Sequence, residues 1–285
     1  MKVANVVPYQ FIITVRSGAL GLLMRLSDWE IGATLEAAAD MKINARERLI
    51  VALDVPSADD AKNLVAQLDG VVSFFKVGLE LYTAAGPEFM RWLVAQQKKV
   101  FLDLKFLDIE QTVRRAAEQA ASLGATFLTV HEGGKAVSSA VEGCRGSDLK
   151  ILAVTVLTSW DAGDLKEMGI NLSVEELVLH RARKALAAGA HGVIASGQEA
   201  AALREQLGRE QVGPARNAFL IVTPGIRPSG SSADEQKRAV TPAEAIRAGA
   251  DYLVVGRPIT RAPNPKDAAL RIIEEMQGAF DSLGD

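Results

Sequence analysis

One cysteine and three histidines in 285 residues leave no material for an internal disulfide framework or a cysteine-based zinc cluster. The lone thiol, Cys144, fits a reducing compartment, and a cytoplasmic location is expected. An excess of one charge is missing too. With 32 Lys and Arg against 35 Asp and Glu, interspersed, the net charge is −3, which excludes the basic field that nucleic acid or an anionic membrane requires. The expected partner is a small molecule. Long apolar runs are also absent: Phe11 to Met24 is interrupted by Arg16 and ended by Arg25, and is too short to cross a bilayer. Nor does it suit a signal peptide, because Asp28 and Glu30 intervene before the small residues Ala37 to Ala39. Residues 1–40 are therefore read as an N-terminal appendage, with Met41 opening the folded unit, residues 41–285. There is no nucleophile elbow and no dinucleotide fingerprint, Gly133-Gly134 being too short for one. His131, His180 and His191 show no metal-ligand spacing.

What the chain does have is a rhythm. Eight short apolar, β-branched runs recur: Leu49 to Asp54, Ser73 to Gly78, Lys99 to Lys105, Thr126 to His131, Ile151 to Thr158, His191 to Ser196, Phe219 to Pro224 and Asp251 to Gly256. Most lack polar alternation, as parallel strands covered on both faces do. Alanine-rich stretches with helical spacing separate them, among them Ala58 to Leu68, Glu110 to Leu123, Val174 to Ala188 and Pro242 to Ala248. A small repeat sets the phase. Leu-Gly-Ala precedes Thr126, and Ala-Gly-Ala precedes both His191 and Asp251, each placing Gly where a helix takes a left-handed stop. Eight strand–helix alternations in about 240 residues predict an α/β fold, a closed (β/α)8 TIM barrel in a single domain.

Such barrels place their active sites at the C-terminal strand ends. There the sequence puts Asp54, Lys76, Asp103, Lys105, His131, Thr158, Thr223 and Gly256-Arg257. The third run is the most telling, because Phe-Leu-Asp-Leu-Lys-Phe-Leu-Asp sets Asp103 and Lys105 on one face of an apolar strand, with Asp108 just beyond. Unpaired buried charge costs several kcal/mol, so the group must pair internally or serve a ligand. A structural alternative covers part of it: an Asp103–Lys105 ion pair, with Asp108 as a helix N-cap in a capping box with Gln111. The runs Thr-Pro-Gly-Ile-Arg-Pro and Val-Val-Gly-Arg-Pro-Ile-Thr end strands seven and eight, where barrels bind phosphate with backbone amides, and Arg257 suits a bidentate contact. The polar stretch after Arg227 reads as a lid, with Gln236 as a ligand-clasping candidate.

Taken in order, Val-Ala-Leu-Asp-Val-Pro ending at Pro56, Phe-Lys-Val-Gly around Lys76, Asp-Leu-Lys-Phe-Leu-Asp-Ile from Asp103, Val-Thr-Val-Leu-Thr-Ser from Val154, and the two phosphate-side motifs make the chain resemble the orotidine 5′-phosphate decarboxylase family, from about Arg48 onward. The resemblance implies conversion of orotidine 5′-phosphate to UMP and CO2, with no metal and no organic cofactor. By position, it implies that Asp54 and Lys76 hold the ribose hydroxyls and that Lys76, Asp103, Lys105 and Asp108 form an alternating charge network. Lys105 is then the proton donor. Thr158 and Gln236 contact the base or lid, and Arg227, Gly256 and Arg257 face the phosphate. The resemblance further implies a homodimer as the working unit, with Asp108 and Thr112 reaching the neighbouring subunit's site. Leu107, Glu110 and Gln111 depart from the residues common in the family (His, Pro and Asn) without touching the charged set. Two alternatives stay open: a magnesium-dependent sister barrel acting on sugar phosphates, which shares Asp-x-Lys-x-x-Asp, and a non-catalytic nucleotide-binding barrel.

Overall fold

The computed structural model describes residues 44–131, 134–210, 219–228 and 239–283. Eight parallel strands close on themselves in sequence order: β1 (Leu49–Ala52), β2 (Phe74–Gly78), β3 (Lys99–Phe106), β4 (Phe127–His131), β5 (Lys150–Val154), β6 (Gly192–Ile194), β7 (Leu220–Thr223) and β8 (Tyr252–Val255). β1 pairs with β8 to complete the (β/α)8 barrel. Around it run α1 (Ala58–Gln67), α2 (Leu79–Ala95), α3 (Glu110–Ser122), α4 (Gly134–Gly143), α5 (Ala162–Glu167), α6 (Val174–Ala187), α7 (Gly197–Glu210), α8 (Pro242–Arg247), α9 (Arg257–Thr260) and α10 (Pro265–Asp281).

Local chemistry starts and stops these elements. Ser173 with Glu176, and Thr241 with Glu244, form capping boxes at the starts of α6 and α8, satisfying amide donors that a helix leaves open. The three repeated glycines end their helices as expected: Gly124, Gly189 and Gly249 have φ of +80°, +86° and +101°.

Two apolar layers result. Outward-facing strand residues such as Leu49, Val51, Phe75 and Leu102 pack against the helices in one continuous core. Inward-facing Ile50, Phe74, Phe101, Phe127, Leu152 and Val222 fill the barrel itself. Phe127 is the hub of the interior, with ring centroids 5.0 Å from Phe74, 5.9 Å from Phe101 and 5.1 Å from Tyr252. These rings form an apolar floor under the strands' C-terminal ends.

On the opposite, N-terminal face the polar groups are structural. Arg204 donates to the carbonyls of Gly249 and Phe219, each at 2.8 Å, and pairs with Asp251, stapling α7 to the starts of β7 and β8. His191, just before β6, uses Nδ1 to accept the Ile151 amide at 3.0 Å. That ring needs its lone pair, and burial with the nearby Lys150 charge pushes the imidazole pKa below its ordinary value.

Candidate active site

One pocket of about 610 Å³ opens at the C-terminal ends of the strands. Above the aromatic floor the inward phase of each strand continues upward and changes character. After Phe74 comes Lys76, after Phe101 comes Asp103, and after Phe127 comes Thr129, while Asp54 follows β1. Asp54, Lys76, Asp103 and Lys105 alternate in sign along one wall. Lys76 Nζ lies 2.9 Å from Asp54 Oδ1 and 3.4 Å from Asp103 Oδ2, and Lys105 Nζ donates to Asp103 Oδ1 at 2.9 Å.

Electrostatics holds the two middle members, Lys76 and Asp103, ionised. Burial alone pushes the Lys76 ammonium toward losing its proton, but the Asp103 and Asp54 carboxylates outweigh it and raise its pKa above the ordinary lysine value. Burial likewise opposes ionisation of Asp103. The Lys76 and Lys105 charges, with hydrogen bonds from Lys105 and Thr129, reverse that and hold the carboxyl below its ordinary 3.8.

Asp103 and Lys105 do meet, though not by the simple strand alternation expected. The register against β4 runs Leu102↔Leu128 and then Phe106↔Val130, so four steps along β3 match two along β4 and the strand bulges between. Lys105 sits in that bulge with φ of +52°. Gly78, at the end of β2, lies close beside the row. A Cβ built on it would lie 3.0 Å from both Asp54 Oδ1 and Lys76 Nζ.

The rest of the pocket wall is divided by chemistry. Val154, Val156, Leu157 and Thr158 line one side, while Pro224, Gly225, Arg227, Gly256, Arg257 and Arg261 line the other. Of the residues singled out from sequence, Asp54, Lys76, Asp103, Lys105, Thr158, Arg227, Gly256 and Arg257 all line this pocket. Asp108 and Thr112 do not. Both are exposed, Asp108 between β3 and α3 and Thr112 in the first turn of α3. The expected capping box is absent as well: Ile109 is the N-cap of α3 and makes no side-chain cap, and Asp108 Oδ1 accepts the adjacent Ile109 amide at 2.6 Å. Gln236 and its polar stretch lie outside the described residues. His131 ends β4, as read, but is not among the pocket-lining residues.

Sequence reasoning passed over three residues. Arg261 stands four positions after Arg257, one helical turn on, a spacing that could have flagged it. Glu80, in the first turn of α2, also lines the pocket and carried no signal. Thr129 is fully buried behind the charged row and looked like any strand threonine.

A family model described as "Orotidine 5′-phosphate decarboxylase / HUMPS family" matches residues 47–272. The orotidine 5′-phosphate decarboxylase of Nitrobacter winogradskyi is 56% identical over 236 residues, covering 83% of this chain and 95% of that protein. That of Afipia carboxidovorans is 53% identical over 233 residues, covering 82% and 96%. Among solved structures, the orotidine 5′-phosphate decarboxylase of Lactobacillus acidophilus superposes with a TM-score of 0.69 at 38% identity, covering 81% of this chain and 99% of the other.

Proposed function

The chain belongs to the orotidine 5′-phosphate decarboxylase / HUMPS family, and on that footing we propose how its barrel mouth turns orotidine 5′-phosphate into UMP and CO2, with Lys105 as proton donor and without a metal ion. The reaction is a carboxy-lyase step of pyrimidine biosynthesis. One observation carries the reading: an alternating row of Asp54, Lys76, Asp103 and Lys105, its members 2.9–3.4 Å apart, set above an apolar floor in a pocket that three arginines also line.

The chemistry asks for such a row. Breaking the bond from C6 to the carboxylate leaves the electron pair in the plane of the pyrimidine ring, where it cannot enter the π system, so fixed positive charge must stabilise it. An ammonium about 4 Å from that charge contributes about 4 kcal/mol at an effective dielectric near 20, roughly a thousandfold in rate. Lys105 supplies that charge and then its proton to C6; CO2 departs, and the neutral amine regains a proton from solvent. Asp103 orients the ammonium from below.

The remaining rate enhancement comes from preorganisation and from binding energy far from the reacting carbon. Arg257 and Arg227, with the Gly256 amide, bind the 5′-phosphate; Asp54 and Lys76 hold the ribose; Thr158 contacts the base. Gln236 clasps the ligand from the polar stretch that follows Arg227.

Asp108 and Thr112 serve a second subunit's site in a homodimer. Support comes from their surroundings: Leu107 and Ile109, on either side of Asp108, are 66% and 73% exposed, a large apolar surface to leave in water beside a charged mouth. We place the enzyme in the cytoplasm, with the barrel opening near Met41 and residues 1–40 as an appendage; among the described residues no helix is long and apolar enough to cross a membrane.

The deciding experiment is UMP formation from orotidine 5′-phosphate by the purified protein, run with EDTA and again with added magnesium. Equal turnover in both is expected. Turnover only with magnesium would overturn the metal-free mechanism, and none in either would overturn the reaction.

A further inference from the structure

Thr129 lies behind the charged row, fully buried and outside the pocket wall, yet both halves of its hydroxyl are committed to the chemistry in front of it. Its O–H donates to Asp103 Oδ1 at 2.9 Å, and its oxygen accepts the backbone N–H of Lys105 at 2.9 Å. The second bond matters because of where Lys105 sits. The bulge in β3 takes the Lys105 amide out of the regular ladder, in a left-handed conformation that a side-chain-bearing residue adopts only when its surroundings impose it. Thr129 occupies the single β4 position between the last regular pair, Leu102↔Leu128, and the resumed one, Phe106↔Val130.

We infer that Thr129 is a positioning residue for proton delivery, holding the Lys105 backbone in its bulge and the Asp103 carboxylate in the rotation that aims the ammonium. Asp103 Oδ1 receives both the Thr129 hydroxyl and Lys105 Nζ. One hydroxyl thus ties the root of the lysine to the anchor of its tip. A merely packed residue would need only its methyl group; a device that aims Nζ needs the oxygen. Because Thr129 does not line the pocket, its loss should leave ligand affinity largely alone and fall on the chemical step.

The inference rests on Lys105 being the proton donor, and the test separates the two. Wild type, Lys105→Ala, Thr129→Val and Thr129→Ser are compared for kcat, KM for orotidine 5′-phosphate and Kd for UMP, with melting temperature followed in parallel. Valine keeps the shape without the oxygen; serine keeps the oxygen. Thr129→Val is expected to lower kcat about 10- to 100-fold, the effect of one hydrogen bond to a charged group, with KM and Kd within about threefold. Thr129→Ser is expected to recover kcat to within about threefold of wild type. A kcat within twofold of wild type in Thr129→Val overturns the inference. So does a parallel loss of UMP affinity, or a failure of serine to rescue, since either marks a structural role. Thr129→Ala takes the place of valine under the same criteria if the valine variant does not fold. An active Lys105→Ala would instead bring down the proton-donor reading on which the inference stands.

Discussion

Replacing Asp103 by Asn keeps the shape and one acceptor oxygen but removes the negative charge between two lysines. At an effective dielectric near 20, the attraction of Asp103 to Lys105 at 2.9 Å is about 6 kcal/mol and to Lys76 at 3.4 Å about 5 kcal/mol. Desolvation offsets much of this in the wild type, since the side chains of Asp103 and Lys76 are only 14% and 11% exposed. In the variant Lys76 keeps Asp54 at 2.9 Å but both lysines lose the carboxylate between them, so the expected loss is that of breaking a buried pair by removing one partner, about 3–5 kcal/mol. For a chain of this size that is a fall in melting temperature of roughly 6–20 °C. The pH dependence follows from the signs. Asp103 titrates below its ordinary 3.8 in the folded state, so its contribution is fully present above about pH 5 and is lost as pH falls through that lowered value. Lys76 titrates above 10.5, so its contribution is present below that and is lost as pH rises through the raised value. The melting-temperature gap between wild type and Asp103→Asn, read by differential scanning calorimetry, is therefore expected to be flat from about pH 5 to 9 and to close in acid. A gap below about 3 °C at pH 7, or one that slopes steeply between pH 5 and 8, would refute the charge row as described.

Lys105→Ala is expected to abolish turnover, by at least about a thousandfold in kcat, with UMP affinity within about tenfold; activity within tenfold of wild type would remove Lys105 as donor. Arg257→Ala should weaken UMP binding by at least about tenfold and leave uridine binding unchanged in calorimetric titration, and an equal loss for both ligands would take the arginine away from the phosphate. Mixing the inactive Asp108→Ala and Lys105→Ala proteins should restore about a quarter of wild-type activity, the share of intact sites after random pairing of subunits, and no recovery would count against a shared site. The His191 ring has a lowered pKa, so its stabilisation is present above about pH 6.5 and lost as pH falls through the folded value. The melting advantage of wild type over His191→Phe should accordingly shrink between pH 7.5 and 5.

Strand spacing was readable because parallel barrel strands are buried on both faces and so appear as plain apolar runs. The helices fell within a residue of their expected ends where a left-handed glycine or a capping box marks them, as at Ser173 and Gly189. The fifth apolar run reaches Thr158 in the sequence, but its strand ends at Val154, because Val156 and Leu157 are apolar for a different reason, lining the pocket rather than continuing the sheet. Asp103 and Lys105 were legible because charge in an apolar run has few explanations. The bulge between them was not: φ of +52° at a lysine leaves no mark on composition or period, and the threonine that holds it sits on another strand, 24 residues away. Asp108 misled in the opposite way, since Asp followed three positions later by Gln spells a cap that the backbone at Ile109 does not make.

The floor of stacked rings has a consequence for traffic. Among the described residues Phe74, Phe101, Phe127 and Tyr252 fill the barrel beneath the charged row, and the pocket opens above them. With that floor beneath it, carbon dioxide leaves past the nucleotide that released it, through the mouth that admits the next substrate. Water is held to that route as well, so whatever covers the mouth decides how long the carbanion stays dry.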